Sequence, residues 1–417
     1  MNILYSLVIN CYYFLIFTAG FFNKKAKLWI EGRKNWESVL SGKIDKDKDW
    51  IWFHCSSLGE FEDCCEIFFK IQKENPSKKT ILTVYSPSAF ESLKSSRLFD
   101  VIAYLPLDTK RNAKTFLDIV NPEFILFGRS ELWLYFLLEI KKREIPIFLI
   151  SLKMNSKSNF IKWPFNIFYR SCFSVFDAVY CQDEETLQLL ISHFAVSNTF
   201  LTGNTRFERV YKQSQSDFKL HGIENFIIEN RVVVLGSCLP KDEHMFLEIY
   251  NKLKSLNIKW IVVPHEMEES ILSKHIDSNT NILYSRINEL NPNHDILVID
   301  SVGLLKHIYK YADFALIGGG FDKIGIHNII EPAVYGVQSA FGPNHRNYEE
   351  AIQLIASGGA TVYNNSIELE MLINEKFSNP EDKVLKENIR QFVKSKAVSS
   401  SKITDSILAR LAGNPEN

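Results

Sequence analysis

Charge of one sign is what this chain lacks first: 48 Lys and Arg stand against 49 Asp and Glu, a formal net charge of -1. A chain without a net field has no general attraction for a polyanion, so no nucleic-acid partner is expected. Paired cysteines are missing as well. The seven (Cys11, Cys55, Cys64, Cys65, Cys172, Cys181 and Cys238) are odd in number and contain no C-x-x-C spacing, which suits neither a disulfide framework nor a zinc site. They read as buried or incidental thiols in a reducing compartment. No other His, Cys, Asp and Glu cluster has zinc or calcium spacing, so no metal is expected. The sequence holds no G-x-S-x-G elbow, which removes a Ser-His-Asp hydrolase. It holds neither a Walker loop nor G-x-G-x-x-G, which argues against a hydride-transferring dehydrogenase. No cofactor is implied.

What is present begins with an uncharged run. From Ile3 to Phe22 the chain carries no charge and is interrupted only by Ser6, Asn10, Thr18 and Gly20 among Leu, Ile, Val, Tyr and Phe. That length suits a bilayer-spanning helix. Lys24, Lys25 and Lys27 follow directly, opposite to the order in a cleaved signal peptide, and would hold the body of the protein in the cytoplasm. A buried or interfacial helix is the other reading of the same run.

A chain of 417 residues exceeds the size at which one core stops growing, so two domains are expected. Short apolar runs alternate with amphipathic segments. Trp50–His54, Thr80–Val84, Val101–Tyr104, Phe124–Phe127, Ile145–Ile150 and Ala178–Tyr180 read as strands, and the pattern restarts with Val232–Leu235, Trp260–Val263, Ile296–Ile299, Phe314–Ile317, Ser339–Phe341 and Ala360–Val362. Such alternation gives α/β lobes, each a parallel sheet covered on both faces. The polar interval from about 205 to 230 reads as the linker. The division is a membrane-anchor helix over 1–22, an N-terminal Rossmann-like domain over 23–205 and a C-terminal one over 206–417, whose last helices are expected to pack back toward the first lobe. The two lobes are expected to face a central cleft.

Ligands of such sheets sit beyond the carboxyl ends of the strands, so the loops there carry the candidates. After the first strand comes Ser56-Ser57-Leu58-Gly59-Glu60, where small residues admit a substrate and Glu60 is either a first-turn partner of the helix dipole or a positioned base. After Phe124–Phe127 comes Gly128-Arg129-Ser130-Glu131-Leu132-Trp133, whose Glu131 is either a cap or a carboxylate opposite Glu60. The second lobe opens with Leu235-Gly236-Ser237-Cys238, a turn onto a helix N-terminus whose free N–H groups suit a phosphate or carboxylate. Further on, Gly318-Gly319-Gly320 allows close approach of a ligand to the main chain. Asn328 and Glu331, three apart, would share a helix face able to hold ribose hydroxyls. His265, in Val263-Pro264-His265-Glu266, stands at a strand end as a candidate ligand contact. Lone histidines such as His193 or His307 read as ordinary core or surface residues.

In order and spacing, Trp52-Phe53-His54 through Gly59-Glu60, Ser130-Glu131-Leu132-Trp133, Leu201-Thr202-Gly203-Asn204, His327-Asn328-Ile329-Ile330-Glu331-Pro332, Gly342-Pro343 and Asn347 resemble the Kdo (3-deoxy-D-manno-octulosonic acid) transferase family over nearly the whole chain. The resemblance implies a GT-B fold, CMP-Kdo as donor, a lipid A precursor (lipid IVA) as acceptor and an inverting transfer in lipopolysaccharide core biosynthesis. It implies Glu60 as catalytic base, with Glu131 an essential partner on the acceptor side beside Ser57, Gly59, Arg129 and Ser130. It implies a donor site at Asn328 and Glu331, to which Ser237, Cys238, His265, Gly319, Gly320 and His327 are added as candidates. Two departures stand out: Pro264-His265-Glu266 occupies a loop where many relatives have an arginine, and Leu134 stands where a proline often follows Glu-Leu-Trp. The rival readings are another GT-B enzyme, either one using a UDP-sugar on a lipid or a nucleotide-sugar epimerase, which would not require Glu60 and Glu131 together, and a non-catalytic nucleotide-binding membrane scaffold, against which Glu60 counts.

Overall fold

The computed structural model describes residues 2–129, 131–155, 161–162, 165–267, 270, 280–323, 325–379 and 382–413. They form two compact units. One comprises residues up to Arg206 together with those from Val398 onward; the other is Phe207–Ala397.

The first unit is a seven-stranded parallel sheet. Its strands are β1 Trp50–Cys55, β2 Lys79–Val84, β3 Val101–Tyr104, β4 Pro122–Gly128, β5 Ile147–Leu152, β6 Ala178–Cys181 and β7 Thr199–Leu201, in the spatial order β3-β2-β1-β4-β5-β6-β7. Strands buried on both faces must be apolar throughout, and β1 and β5 are buried at every position. Trp52, fully buried, packs against Phe116 at 4.7 Å, Phe127 at 5.1 Å and Phe136 at 5.6 Å between ring centroids. Each such pair contributes about 1 kcal/mol beyond the area it buries, so the cluster fixes β1 against β4. On the other face the helix Ser399–Leu411 buries Ile403 and Ile407 among Ile51, Phe53 and Phe68. This helix thus covers one face of the first sheet.

The second unit repeats the plan with β8 Arg231–Cys238, β9 Ile258–Pro264, β10 Asn281–Leu283, β11 Ile296–Val298, β12 Phe314–Ile317, β13 Ser339–Phe341 and β14 Ala360–Val362, all parallel, in the order β10-β11-β9-β8-β12-β13-β14. In both sheets the strand order reverses beside the first strand, between β1 and β4 and between β8 and β12. These switch points are where open parallel sheets leave a crevice for ligands. The four candidate loops follow these four strands.

Three expectations are corrected. The polar interval 205–230 is not a bare linker: it contains the helix Arg206–Ser214, which buries Phe207 and Val210, and the helix Ile223–Ile227, which buries Ile223 and Phe226. The short edge strands β7 and β10 have no long apolar run, and no expected strand covered them. The third correction concerns the start of the chain. Asn2–Ala19 is a helix, but no helix among the described residues is long and apolar enough to cross a membrane. Tyr, Ser, Asn and Thr dilute its hydropathy, and one face is taken by protein. The Tyr5 hydroxyl donates to Asp108 Oδ2 at 2.5 Å, Ser6 bonds the Tyr135 hydroxyl, and Ile9 is buried. The basic stretch divides likewise. Lys24, Lys25 and Lys27 are exposed, whereas Arg33 lies over the rings of Trp29, Tyr85 and Tyr104 at 4.0, 4.6 and 4.8 Å and donates to the carbonyls of Trp29, Tyr85 and Leu105. Burial lowers its guanidinium to about 10.

Candidate functional site

At the first switch point the turn after β1 enters the helix Leu58–Glu74 through a capping box. Ser57 Oγ accepts from the Glu60 N–H at 3.3 Å, and Glu60 Oε2 accepts from the N–H groups of Ser56 and Ser57 at 2.8 and 3.1 Å. The capping role weighed for Glu60 is therefore real, and it occupies one oxygen. Oε1 receives no hydrogen bond from the described residues. A carboxylate pinned by one oxygen and open at the other is what a positioned base requires. Burial first, and then the charge of Glu131, raise the Glu60 carboxyl to about 7 against the pull of the Ser56 and Ser57 N–H groups and of Arg129. Gly59 is exposed, and a Cβ built on it meets nothing within 4 Å, so the surface beside Glu60 is open.

Glu131 is buried at 6% exposure. Its Oε2 lies 3.0 Å from His54 Nε2 and accepts from Trp133 Nε1–H at 2.7 Å. Burial pushes this carboxyl up, but the hydrogen bond and charge of His54, the Ser56 hydroxyl and Trp133 together hold it below the usual carboxylate range. Trp133 stacks on Tyr85 at 4.7 Å, the same ring that Arg33 covers. Arg129 takes a left-handed φ of 61°, a conformation uncommon outside glycine, and its Nη1 lies 3.5 Å from buried Asp63, which Arg206 Nε also meets at 2.6 Å. Ser130 lies outside the described residues. The first unit thus brings Glu60, Glu131, Ser57 and Arg129 to one crevice with Gly59 at its edge. Sequence reading gave no role to His54, Thr83, Ser56 or Asp63; only the two runs containing His54 and Trp133 marked the place.

The second switch point is built differently. Cys238 is fully enclosed, its Sγ 3.5 Å from Glu243 Oε1 and 3.6 Å from the Val263 carbonyl, and burial pushes the thiol well up. Its thiol is enclosed by the protein's own groups. At the start of the helix Pro240–Tyr250, Asp242, buried, accepts from Leu239 N–H at 2.9 Å and Gly319 N–H at 3.0 Å, so a carboxylate of the protein takes two of the main-chain N–H groups there. Burial raises the Asp242 carboxyl, with these two N–H groups opposing.

The glycines are accounted for in the same way. A Cβ at Gly318 would meet the Ser237 carbonyl at 2.2 Å, at Gly319 the Gly325 carbonyl at 2.4 Å and at Gly320 the Gly342 nitrogen at 2.5 Å. Their close approach is to the protein's own chain. His327 precedes the short helix Ile330–Ala333 rather than opening it. Asn328 Nδ2 donates to Glu331 Oε1 at 3.0 Å while its Oδ1 caps Ile330 N–H at 3.1 Å, so the two engage each other. His327 Nε2 is buried without a partner among the described residues, and its ring stacks on that of exposed His265 at 4.6 Å. Burial, then the neighbouring His265, lower the His327 imidazole. Ser237 and His265 line a cavity of about 420 Å³ together with Pro264, Glu266 and Asp300. No group of three or more His, Cys, Asp or Glu placed to hold a metal ion occurs among the described residues.

Residues 31–209 match the family described as 3-deoxy-D-manno-octulosonic-acid transferase (kdotransferase). The 3-deoxy-D-manno-octulosonic acid transferase of Chlamydophila psittaci is 28% identical over 345 residues, 80% of this chain and 78% of that one. The transferase of the same name from Aquifex aeolicus is 24% identical over 348 residues, 82% of this chain and 90% of its own. Among solved structures, UDP-GlcNAc 2-epimerase from Neisseria meningitidis bound to UDP-GlcNAc superposes with a TM-score of 0.58 at 13% identity, covering 86% of this chain and 99% of that chain. At that identity the likeness gives the fold alone, two parallel-sheet lobes of the GT-B-like kind. With the family match across the first sheet and these relatives along about four fifths of the sequence, the chain is similar to the Kdo transferases through both units, a likeness that supports a glycosyltransferase.

Proposed function

We propose that the protein moves Kdo from CMP-Kdo to a lipid A precursor with inversion at the anomeric carbon, Glu60 being the base. The observation that carries this reading is the state of Glu60: Oε2 is held by two backbone N–H groups, Oε1 receives no hydrogen bond from the described residues, and burial with the charge of Glu131 raises the carboxyl to about 7. In the transfer step Oε1 takes the proton of the acceptor hydroxyl as its oxygen bonds the anomeric carbon. The bond from that carbon to the phosphate oxygen breaks, and CMP leaves with the electron pair. On the donor side, His327 Nε2, without a partner among the described residues, and the stacked His265 supply polar groups where many relatives have arginine, with Asn328 and Glu331 adjacent.

Transfer from CMP-Kdo to a tetraacylated lipid A precursor, in detergent and without added metal, tests the reading by comparing wild type with Glu60→Ala. Product from wild type and a loss of about a hundredfold or more in the variant are expected. Transfer by Glu60→Ala at the wild-type rate removes Glu60 as base, and product from neither protein turns the assignment to another donor.

We further propose that the protein works on the cytoplasmic face of the inner membrane with its first helix lying in the surface. Leu7, Val8, Phe14 and Leu15 are exposed on that helix, and Lys24, Lys25 and Lys27 follow. This is the pattern of an in-plane helix beside anionic headgroups. Replacing Phe14 and Leu15 by Glu should weaken binding to anionic vesicles more than tenfold, since each buried side chain contributes about 2 kcal/mol. Unchanged co-flotation would remove this helix from the contact.

A further inference from the structure

His54 stands near the end of β1, fully buried, with its Nδ1 3.0 Å from the Thr83 carbonyl and 2.8 Å from Thr83 Oγ1. A carbonyl oxygen only accepts, so Nδ1 carries a hydrogen. On the other side of the ring, Nε2 lies 3.0 Å from Glu131 Oε2. A bare ring nitrogen and a carboxylate oxygen are both acceptors, and two buried acceptors do not face each other at that distance without a proton between them. Trp133 does not supply it. Its single Nε1–H goes to the nearer acceptor, Oε2 at 2.7 Å, and a protonated Nε2, 3.0 Å from the same indole nitrogen, donates to Oε2 beside it instead of accepting. The pair therefore holds one proton more than a neutral imidazole facing a carboxylate. Ser56 ties the pair to Glu60, its N–H on Glu60 Oε2 at 2.8 Å and its hydroxyl on Glu131.

We propose that His54 is a positioning residue for the transfer: anchored by Thr83, it keeps that proton against Glu131, so that Glu131 stands as a fixed anion near Glu60 and makes Glu60 the stronger proton acceptor. This rests on Glu60 being the base, as proposed above. The groups facing Glu60 are Glu131 and Arg129 from the loop after β4, the Cys55 thiol on β1 and the Cys64 thiol on its own helix; burial pushes both thiols well up. Facing Glu131 are His54, Trp133, the Cys55 thiol and the Tyr85 phenol, the last also pushed up by burial. Of these, Glu131 supplies the charge that raises Glu60, with Arg129 opposing it. Burial is the largest influence on Glu131, and His54 is foremost among those opposing it. With His54 gone, burial prevails, Glu131 takes up a proton, and Glu60 loses the anion beside it.

The test is the pH dependence of kcat for Kdo transfer in wild type and His54→Gln, which keeps an amide donor but nothing that titrates. Glu60 must be ionised to accept a proton, so wild-type activity falls as pH drops through about 7. In His54→Gln the midpoint of that limb is expected about one unit lower, with the plateau about tenfold down and KM for CMP-Kdo unmoved. A side chain that merely filled space would lower the rate and leave the midpoint in place; that result overturns the proposal. Should the variant fail to fold or transfer too slowly to follow, ¹⁵N-histidine spectra of wild type and Glu131→Gln decide. A histidine protonated on both nitrogens in wild type and on one in the variant sustains the proposal, and identical spectra overturn it. Glu60→Ala, measured alongside, separates the two readings. Retained transfer there sinks the base, whereas its loss together with an unmoved midpoint in His54→Gln sinks only the role of His54.

Discussion

The two sheets place their first strand alike, β2-β1-β4 in one unit and β9-β8-β12 in the other, yet the crevices at these switch points are finished in opposite ways. In the first unit a carboxylate oxygen and the space beside a glycine are left open: Glu60 Oε1 receives nothing from the described residues, and Gly59 has no neighbour where a Cβ would stand. In the second unit the protein satisfies itself. Asp242 takes the N–H groups of Leu239 and Gly319, and the three consecutive glycines are pressed against the chain's own backbone. Identical topology therefore does not carry identical chemistry. A glycine cluster or a helix N-terminus marks a close approach without saying whether the visitor is a ligand or another part of the protein.

The comparison breaks most sharply at Gly320. Alanine there would bring its Cβ to 2.5 Å from the Gly342 nitrogen and 2.7 Å from its Cα, both fixed backbone atoms. Gly320→Ala is expected to destabilise the second unit by about 3 kcal/mol, read as a lowered urea midpoint of its unfolding transition. Stability close to wild type would mean the loop yields easily, and its glycines would return to the ligand.

How much of this was legible in the sequence follows from what each feature depends on. Strands such as β1, β4, β8 and β12 announce themselves because a strand covered on both faces must be apolar along its length. Thr199–Leu201, partly exposed along its length, has no such constraint and gives no such signal. The loops carrying Glu60 and Glu131 were visible from strand ends alone, but their partners were not. His54 meets Glu131 across 77 residues and Asp63 meets Arg206 across 143, separations at which no local pattern speaks. The opening helix misled for the same reason. Its uncharged run is compatible with a bilayer, while the hydrogen bond that docks Tyr5 depends on Asp108, 103 residues later.

Asp242 sharpens the comparison by a smaller amount. Its carboxyl is raised by burial, so the folded protein holds a proton longer than the unfolded chain does. The stability this contributes is fully present below the ordinary carboxylate range and is lost as pH rises through the folded value. Asp242→Asn keeps an acceptor for one N–H and never ionises. It should cost about 1–2 kcal/mol at low pH and flatten the decline in the second unit's stability as pH rises above the ordinary carboxylate range. A decline equally steep in both proteins would show that Asp242 does not control it.

The smallest effect on stability is expected at Gly59, where the consequence should be almost wholly functional. The residue sits in the first turn of the helix Leu58–Glu74, next to Glu60, and faces open space. Alanine at such a position gains up to about 1 kcal/mol of helix propensity and meets no clash. If that opening is only solvent, Gly59→Ala will match or exceed the wild type in both stability and transfer. If the acceptor lies against it, one methyl group beside the base displaces the attacking hydroxyl, and kcat/KM for the lipid acceptor should fall about tenfold while KM for CMP-Kdo stays put. A glycine whose replacement stabilises the helix and slows the enzyme is kept for what approaches it, the reverse of Gly320, which is kept for what already lies there.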